Sequence, residues 1–234
     1  MTYIMADLHG CYSQFCEMLR KINFSDKDDT LYLLGDLVDR GPEPIKVLLE
    51  VMERPSIVAL MGNHDFNTLQ TMELLASSNV PETKAEELLD DWLAFGGGST
   101  IEQLVDLPLS KNKRILKFLR GLPYYQEIWI GEDHYILTHA GIRDFVKGKL
   151  LASYHPRQFI SGRLRYDQRY FEDPNTFLVS GHTPTPLIRE DQQPLVYQGH
   201  GHIALDCGCV FGGKLACFCC ESKEVIYVDG YHKL

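Results

Sequence analysis

Three times in the first third of the chain, a short apolar run ends in a cluster of acid, histidine or amide side chains beside glycine, and a helix pattern follows. Residues 3–6 run into Asp7-Leu8-His9-Gly10, residues 31–34 into Gly35-Asp36, and residues 57–61 into Gly62-Asn63-His64-Asp65. After the first cluster, Phe15, Met18, Leu19 and Ile22 recur at the i, i+3, i+4, i+7 spacing of a helix that buries one face. Ile45, Leu48, Leu49 and Met52 repeat that spacing after the second, behind Pro42 and Pro44, which are tolerated in a first helical turn. Alternating strands and helices predict a largely parallel sheet with helices packed on it. In open sheets of that kind the ligand crevice lies beyond the carboxyl ends of the strands, so three clusters in three successive units predict one shared site.

The middle of the chain is more polar. Residues 76–84 read as a solvated connection, 86–95 as a helix stopped by Gly96-Gly97-Gly98, and 111–119 as a helix ended by Gly121 and Pro123. Because strands resume afterwards, residues from about 76 to 120 are expected to be a helical insertion in a single domain spanning 1–234. Residues 124–130 and 134–138 predict a hairpin around Gly131-Glu132-Asp133, ending at His139-Ala140-Gly141. Residues 177–180 predict a strand that ends at Gly181-His182-Thr183. Strands over 203–205, 214–220 and 225–228 complete a β-rich C-terminal part, with Gly212-Gly213 as a candidate hairpin turn. Trp92 and Trp129 lie in amphipathic segments and are expected in the core. His200-x-His202 reads as a polar loop before a strand.

Composition narrows the function classes. A net charge of −9 gives no long-range attraction for nucleic acid or anionic lipid, and neither is expected as a partner. It does not exclude a phosphate substrate, because bound metal ions and arginines can reverse the field inside a cleft. No apolar run approaches membrane-span length and residues 1–6 are too short for a secretory signal, so the expected compartment is the cytoplasm. The cysteines, at 11, 16, 207, 209, 217, 219 and 220, are expected to be reduced, buried thiols. Cys207-x-Cys209 and Cys217-x-Cys219 lack the two-to-four-residue gap usual between zinc ligands.

Five strand-end clusters therefore matter: those at Asp7, Asp36, Asn63, His139 and His182, with Asp39-Arg40-Gly41 trailing the second. Carboxylate, imidazole and amide together suit ions of intermediate hardness such as Mn, Fe or Zn. Asp7 and His9 alternate and can turn to the same side. Asp36 has two oxygens and can bridge two ions, which at a spacing of roughly 3.5 to 4 Å clamp a phosphate between them.

These motifs resemble the phosphoprotein phosphatase family of calcineurin-like metallophosphoesterases. The pattern is Asp-x-His-Gly, then Gly-Asp-x-Val-Asp-Arg-Gly, then Gly-Asn-His-Asp, then two separated histidines, and every position is filled here. The likeness spans Asp7 to His182, Leu205-Asp206-Cys207-Gly208 resembles the closing strand, and the compact length is similar to bacterial and phage members. The resemblance implies an α/β, four-layer α-β-β-α sandwich. It implies that Asp7 and His9 hold a first metal, that Asp36 bridges, and that Asn63, His139 and His182 complete a second. His64 would be the general acid, Asp39 would hold it by a hydrogen bond, and Arg40 and Arg163 would grip the phosphoryl group. Arg163 is preferred to Arg165 because Gly162 precedes it, although the tryptophan common before this arginine in bacterial members is absent.

The resulting expectation is a binuclear metallophosphatase, manganese being the first choice of ion, in which a hydroxide shared by two metals attacks a phosphomonoester in line. Phosphoserine or phosphothreonine in proteins is the expected substrate, because relatives that hydrolyse dinucleoside polyphosphates often lack an acid at the position of Asp39. A symmetrical diadenosine tetraphosphate hydrolase is the alternative. A non-catalytic phosphate-sensing module would have lost a ligand or the acid, and none is lost here.

Overall fold

The computed structural model describes residues 1–77 and 80–232. Strand and helix alternate as expected through β1 (Thr2–Met5), α1 (Tyr12–Lys21), β2 (Thr30–Leu33), α2 (Pro44–Glu53), β3 (Ile57–Ala59) and α3 (Asn63–Leu75). Three helices follow: α4 (Glu82–Ala94), α5 (Gly98–Val105) and α6 (Leu109–Arg120). The glycine triplet does stop α4, but Gly98 opens α5, a helix that the glycines hide from a periodicity reading. Residues 82–84 belong to α4 rather than to a connection; Ser78 and Asn79 lie outside the described residues.

The remaining strands are β4 (Tyr125–Ile130), β5 (Asp133–Thr138), β6 (Thr176–Ser180), β7 (Tyr197–Gly199), β8 (His202–Ala204), β9 (Lys214–Cys219) and β10 (Val225–Asp229). They make two five-stranded sheets, ordered β10-β9-β1-β2-β3 and β4-β5-β6-β8-β7. The three strands of each sheet that carry motifs run parallel: β1, β2 and β3, with β3 at the edge, in one, and the central β5, β6 and β8 in the other. The remaining pairings, of β9 with β1 and β10, β4 with β5 and β7 with β8, are antiparallel. Gly212-Gly213 is not a hairpin turn, because β8 and β9 lie in different sheets and the segment between them crosses from one to the other. β7, only three residues long, pairs with β8 around Gly199-His200-Gly201, so His200 sits in a hairpin turn.

Side-chain alternation along each strand separates two cores. Tyr3 and Met5 of β1 and Leu215, Cys217 and Cys219 of β9 face the helices, packing with Phe15, Met18, Leu48 and Ile115. Ile4 and Ala6, with Ala216, Phe218 and Cys220, face the other way and meet Tyr135, Leu137 and Val179 of the second sheet. The outer face of the second sheet, around Ile136 and Leu178, is covered by Tyr154, Phe159 and Leu164. This covering layer contains the 3₁₀ turns Leu151–Ser153 and Pro156–Gln158 and, among the described residues, no α-helix. The mixed α/β fold of two stacked sheets is the one expected.

Six of the seven cysteines are buried, and they divide between the two cores: Cys11, Cys209, Cys217 and Cys219 toward the helices, Cys207 and Cys220 between the sheets. Among the described residues no three of these sulfurs, alone or with histidines or acids, converge closely enough to hold an ion. Trp92 is buried as expected, but Trp129 is 62% exposed and stacks flat on His134, with centroids 4.3 Å apart. It sits on edge strand β4, and its face of that strand is left uncovered.

Phe218→Ala should therefore destabilise the protein by about 3–5 kcal/mol through the cavity it opens between the sheets. Trp129→Ala should change stability by no more than about 0.5 kcal/mol. Urea denaturation of the two variants measures both, and equal costs would mean the inter-sheet core is assigned to the wrong residues.

Candidate metal centre

The parallel strands of both sheets end at the same rim, and the motif residues lie just past those ends. Six of them adopt left-handed backbone: Asp7 (φ 53), His9 (φ 42), Asp36 (φ 55), Asp39 (φ 68), Arg40 (φ 69) and His182 (φ 63). That conformation is uncommon outside glycine and turns the chain sharply enough to aim successive side chains at one point. Neighbouring glycines are needed for closeness. A Cβ on Gly181 would lie 1.9 Å from Asp7 Oδ2, and one on Gly62 would lie 2.2 Å from Asp36 Oδ1.

Asp36 is central. Its Oδ1 accepts the His64 N–H at 2.9 Å, while Oδ2 lies 3.4 Å from His9 Nε2 and 3.5 Å from His139 Nε2. Each of these imidazoles is oriented from behind by a backbone carbonyl, which can only accept. His9 Nδ1 donates to Val38 O at 2.9 Å, and His139 Nδ1 donates to Leu34 O at 2.9 Å. The proton is thus fixed on Nδ1, and the Nε2 lone pair of each neutral ring faces the cluster. Burial holds His9 down to about 3 and His182 down to about 4, so both rings are neutral and able to ligate at neutral pH.

The second group is tighter. Asn63 Oδ1 lies 2.8 Å from His139 Nε2 and 2.9 Å from His182 Nδ1, and the two ring nitrogens are 3.2 Å apart. With the His139 proton committed to Leu34, the His139 lone pair and the Asn63 oxygen face each other with no hydrogen between them. Asp7 stands slightly apart, receiving the His182 N–H on both oxygens at 3.1 and 3.0 Å. Burial, with the charges of Asp206 and Asp36 added, pushes its carboxyl well up. Lone pairs and carboxylates crowded out of water in this way fit a cationic occupant. Arg40 meets part of that demand by donating to His9 Nε2 at 2.6 Å, the lone pair a metal ion would take.

His64 is enclosed, and its Nε2 has no hydrogen-bond partner. Its Nδ1 lies 2.8 Å from Asp39 Oδ2. Asp39 is itself held from the helical segment: Trp92 Nε1 donates to Oδ1 at 3.1 Å, Thr100 Oγ1 donates to the same oxygen at 2.7 Å, and the Asp39 N–H donates back to Thr100 Oγ1 at 3.0 Å. The Arg40 N–H donates to Gly96 O at 2.7 Å. Helices α4 and α5 thus brace the Asp39-Arg40 turn, a role the sequence did not disclose. Arg163 is exposed and donates to Thr183 Oγ1 at 3.1 Å, next to His182. Arg165 pairs instead with Asp167.

Two acids that lie within the sequence motifs, but to which the sequence assigns no role, also belong to the site. Asp65 accepts the N–H groups of Asp36, Leu37 and Gly62 at 2.7, 2.9 and 3.0 Å, tying the loop after β2 to the start of α3. Burial, reinforced by Asp36, raises its carboxyl to about 7. Asp206 follows β8 just as Asp7 follows β1, so the strand-end rule alone would have found it. It is buried, accepts the Gly208 N–H at 2.9 Å, and is pushed up to about 6 by burial and the Asp36 charge.

Two stacked mixed sheets with such a cluster at their shared rim define a metallophosphoesterase. The profile of the calcineurin-like phosphoesterases matches residues 2–228, and the chain belongs to that family of metal-dependent hydrolases, whose members bind two metal ions. A relative from Buchnera aphidicola subsp. Schizaphis graminum, named symmetrical bis(5'-nucleosyl)-tetraphosphatase, is 27% identical over 274 positions, covering 96% of each chain. A relative of the same name from Delftia acidovorans is 41% identical over 157 residues, 62% of this chain and 54% of its own. Among solved structures, one provisionally described as a diadenosine tetraphosphatase superposes with a TM-score of 0.67 at 21% identity, over 99% of this chain and 94% of its own. A protein serine/threonine phosphatase from Saccharomyces cerevisiae gives 0.63 at 11% identity, over 100% and 80%. At those identities the structures speak to the fold alone.

The relatives overturn the expectation of a phosphoserine and phosphothreonine phosphatase. That expectation leaned on Asp39, and the geometry shows why it should not have. Asp39 touches His64, Trp92 and Thr100. A carboxylate that orients an imidazole from behind assists whichever leaving oxygen that imidazole reaches, so its presence does not exclude a nucleotide substrate.

The raised carboxyl of Asp206 gives a pH test. In the metal-free protein the folded state holds this proton up to about pH 6, whereas an unfolded aspartate releases it near 3.9. Between those values the folded state binds more protons, so the contribution of Asp206 to stability is present at acid pH and lost as the pH rises through 6. Asp206→Asn should therefore match wild type near pH 4 and become progressively the more stable of the two toward pH 8. Urea midpoints across that range measure the difference, and a constant offset would remove Asp206 from the linkage.

Proposed function

We propose that this chain is a metal-dependent hydrolase that splits dinucleoside tetraphosphates symmetrically into two nucleoside diphosphates. The observation that carries the chemistry is Asp36 placed between two imidazoles whose lone pairs are aimed at it, beside the Asn63, His139 and His182 group. The substrate rests on the name of the relative that matches over 96% of both chains. In this reading Asp7, His9 and Asp36 hold one ion, and Asp36, Asn63, His139 and His182 the other. Mixed nitrogen and oxygen donors suit Mn, with Fe or Zn also compatible. When bound, the ions supply a water nucleophile at neutral pH and neutralise charge on the reacting phosphate.

The chain's own groups do the rest. Arg40 forks onto phosphate oxygens in place of its contact with His9, and Arg163 meets the phosphate chain from the side of His182. The buried, unpartnered Nε2 of His64 is the group positioned to hand a proton to the departing oxygen, with Nδ1 steadied by Asp39. In symmetrical cleavage that oxygen belongs to a nucleoside diphosphate. A phosphate oxygen is a far weaker base than an alkoxide, its second proton having a pKa of about 6. It therefore needs less help to leave.

His64→Asn should lower kcat about 10²- to 10⁴-fold on an alkyl phosphate, and by a clearly smaller factor on diadenosine tetraphosphate, with metal content unchanged. Chromatography of the products reads the reaction, and wild type loaded with Mn²⁺ should yield ADP alone. ATP with AMP would sink the symmetrical reading, and no nucleotide cleavage would sink the substrate. Equal losses on both esters would remove His64 from leaving-group protonation.

A further inference from the structure

A cleft of about 970 Å³ adjoins the candidate metal centre. The two are joined through Arg163 and Thr183, which line the cleft; Thr183 directly follows His182, and Arg163 donates to the Thr183 hydroxyl. This is ample room for a nucleoside, since small-molecule sites run from roughly 300 to 1,000 Å³. A phosphomonoester of a small alcohol would leave most of it unfilled.

The lining is that of a base site. Tyr197, at the start of edge strand β7, stands edge-on to Tyr166 with centroids 5.6 Å apart, and its hydroxyl donates to Tyr166 O at 2.9 Å. The ring is thereby fixed before any ligand arrives. Leu187, which is 72% exposed, and Ile188 add apolar surface to the same cleft. Of the charged side chains, Glu190 lines the cleft without an ion pair among the described residues, and the other acids are paired. Asp191 is paired with Arg189, and Asp167 with Arg165. Arg163 makes no ion pair among the described residues. A cation beside the metal cluster, and beyond it a wall that offers an aromatic ring and two aliphatic side chains among mostly paired charges, match a molecule that is anionic at one end and neutral and aromatic at the other.

We propose that this cleft is the nucleoside subsite of the candidate active centre. The base lies against Tyr197 and Leu187, and Arg163 holds the phosphate that joins the nucleoside to the reacting phosphorus. The proposal rests on the tetraphosphatase reading for its substrate, but its binding test does not depend on turnover.

Calorimetric titration of Mn²⁺-loaded protein with ADP and with pyrophosphate separates the nucleoside from the phosphates. Wild type should bind ADP at least about tenfold more tightly than pyrophosphate, the yield of one stacked base. Tyr197→Ala and Leu187→Asp should each abolish that preference and leave pyrophosphate affinity unchanged, while Tyr197→Phe keeps it. Leu187 is on the surface, so its variant folds whatever the fate of the tyrosine variants. Equal affinity for the two ligands in wild type, or a preference that survives both variants, overturns the subsite. So does a parallel loss of pyrophosphate binding in Leu187→Asp. A wild type that prefers ADP but does not cleave diadenosine tetraphosphate keeps the subsite and overturns the substrate reading. One that cleaves it, with KM unmoved by either variant, overturns the subsite alone.

Discussion

Oδ2 of Asp36 faces His9 from one sheet and His139 from the other, while Oδ1 accepts the His64 N–H in the first turn of α3. Much of the surrounding structure keeps this carboxylate in place. Asp65 grips three N–H groups, two of them on Asp36 and Leu37. Gly62 has no side chain because Asp36 occupies the space a Cβ would need. The carbonyls of Val38 and Leu34 set the tautomers of the two facing rings. A buried negative charge so placed requires a cation, and the crowding of Asp7, Asp206 and Asp65 around it sharpens that requirement.

The two stacked sheets solve a geometric problem that one sheet cannot. A single sheet presents its strand ends along a line, so its ligands fan out. Two sheets packed face to face bring a second line of strand ends within a side chain's reach of the first. Asp7, Asp36 and Asn63 come from one rim, and His139, His182 and Asp206 from the other. The inter-sheet core of Ile4, Leu137, Val179 and Phe218 is therefore also the spacer of the site. The helical segment adds a third support, through Trp92 and Thr100 on Asp39. Beyond the cluster, the cleft between Arg163 and Tyr197 gives the site a direction, with a cation at one end and an aromatic ring at the other.

The strand-helix alternation and the polar clusters at the strand ends could be read from the chain because each depends on local pattern, and the resemblance to a family added the roles of His64, Asp39, Arg40 and Arg163. Period 3.6 in α1 and α2, apolar runs in β1 and β2, and glycines beside acids are all visible within a few residues. α5 was not visible, because its opening glycine is a poor helix former and contacts of the segment with Arg40, Gly41 and Asp39 hold it. Trp129 was placed inside because its strand alternates, but alternation does not say whether the second face is covered. Asp206 was within reach of the same strand-end rule that selected Asp7.

What the sequence determined by itself is the chemistry on offer: which acids, imidazoles and amide end each strand, and the family they resemble. Only the tertiary structure decided how they combine. It placed His9 and His139 on either side of one carboxylate, fixed their tautomers with distant carbonyls, and left the His64 Nε2 without a partner. It also joined Arg163 to a cleft built from residues 164–200, which no spacing along the chain connects to Asp7 or Asp36. Spacing reports neighbours along the backbone, whereas lone-pair direction and cleft shape arise between segments separated along it, by 29 residues for His9 and Val38 and by 105 for His139 and Leu34.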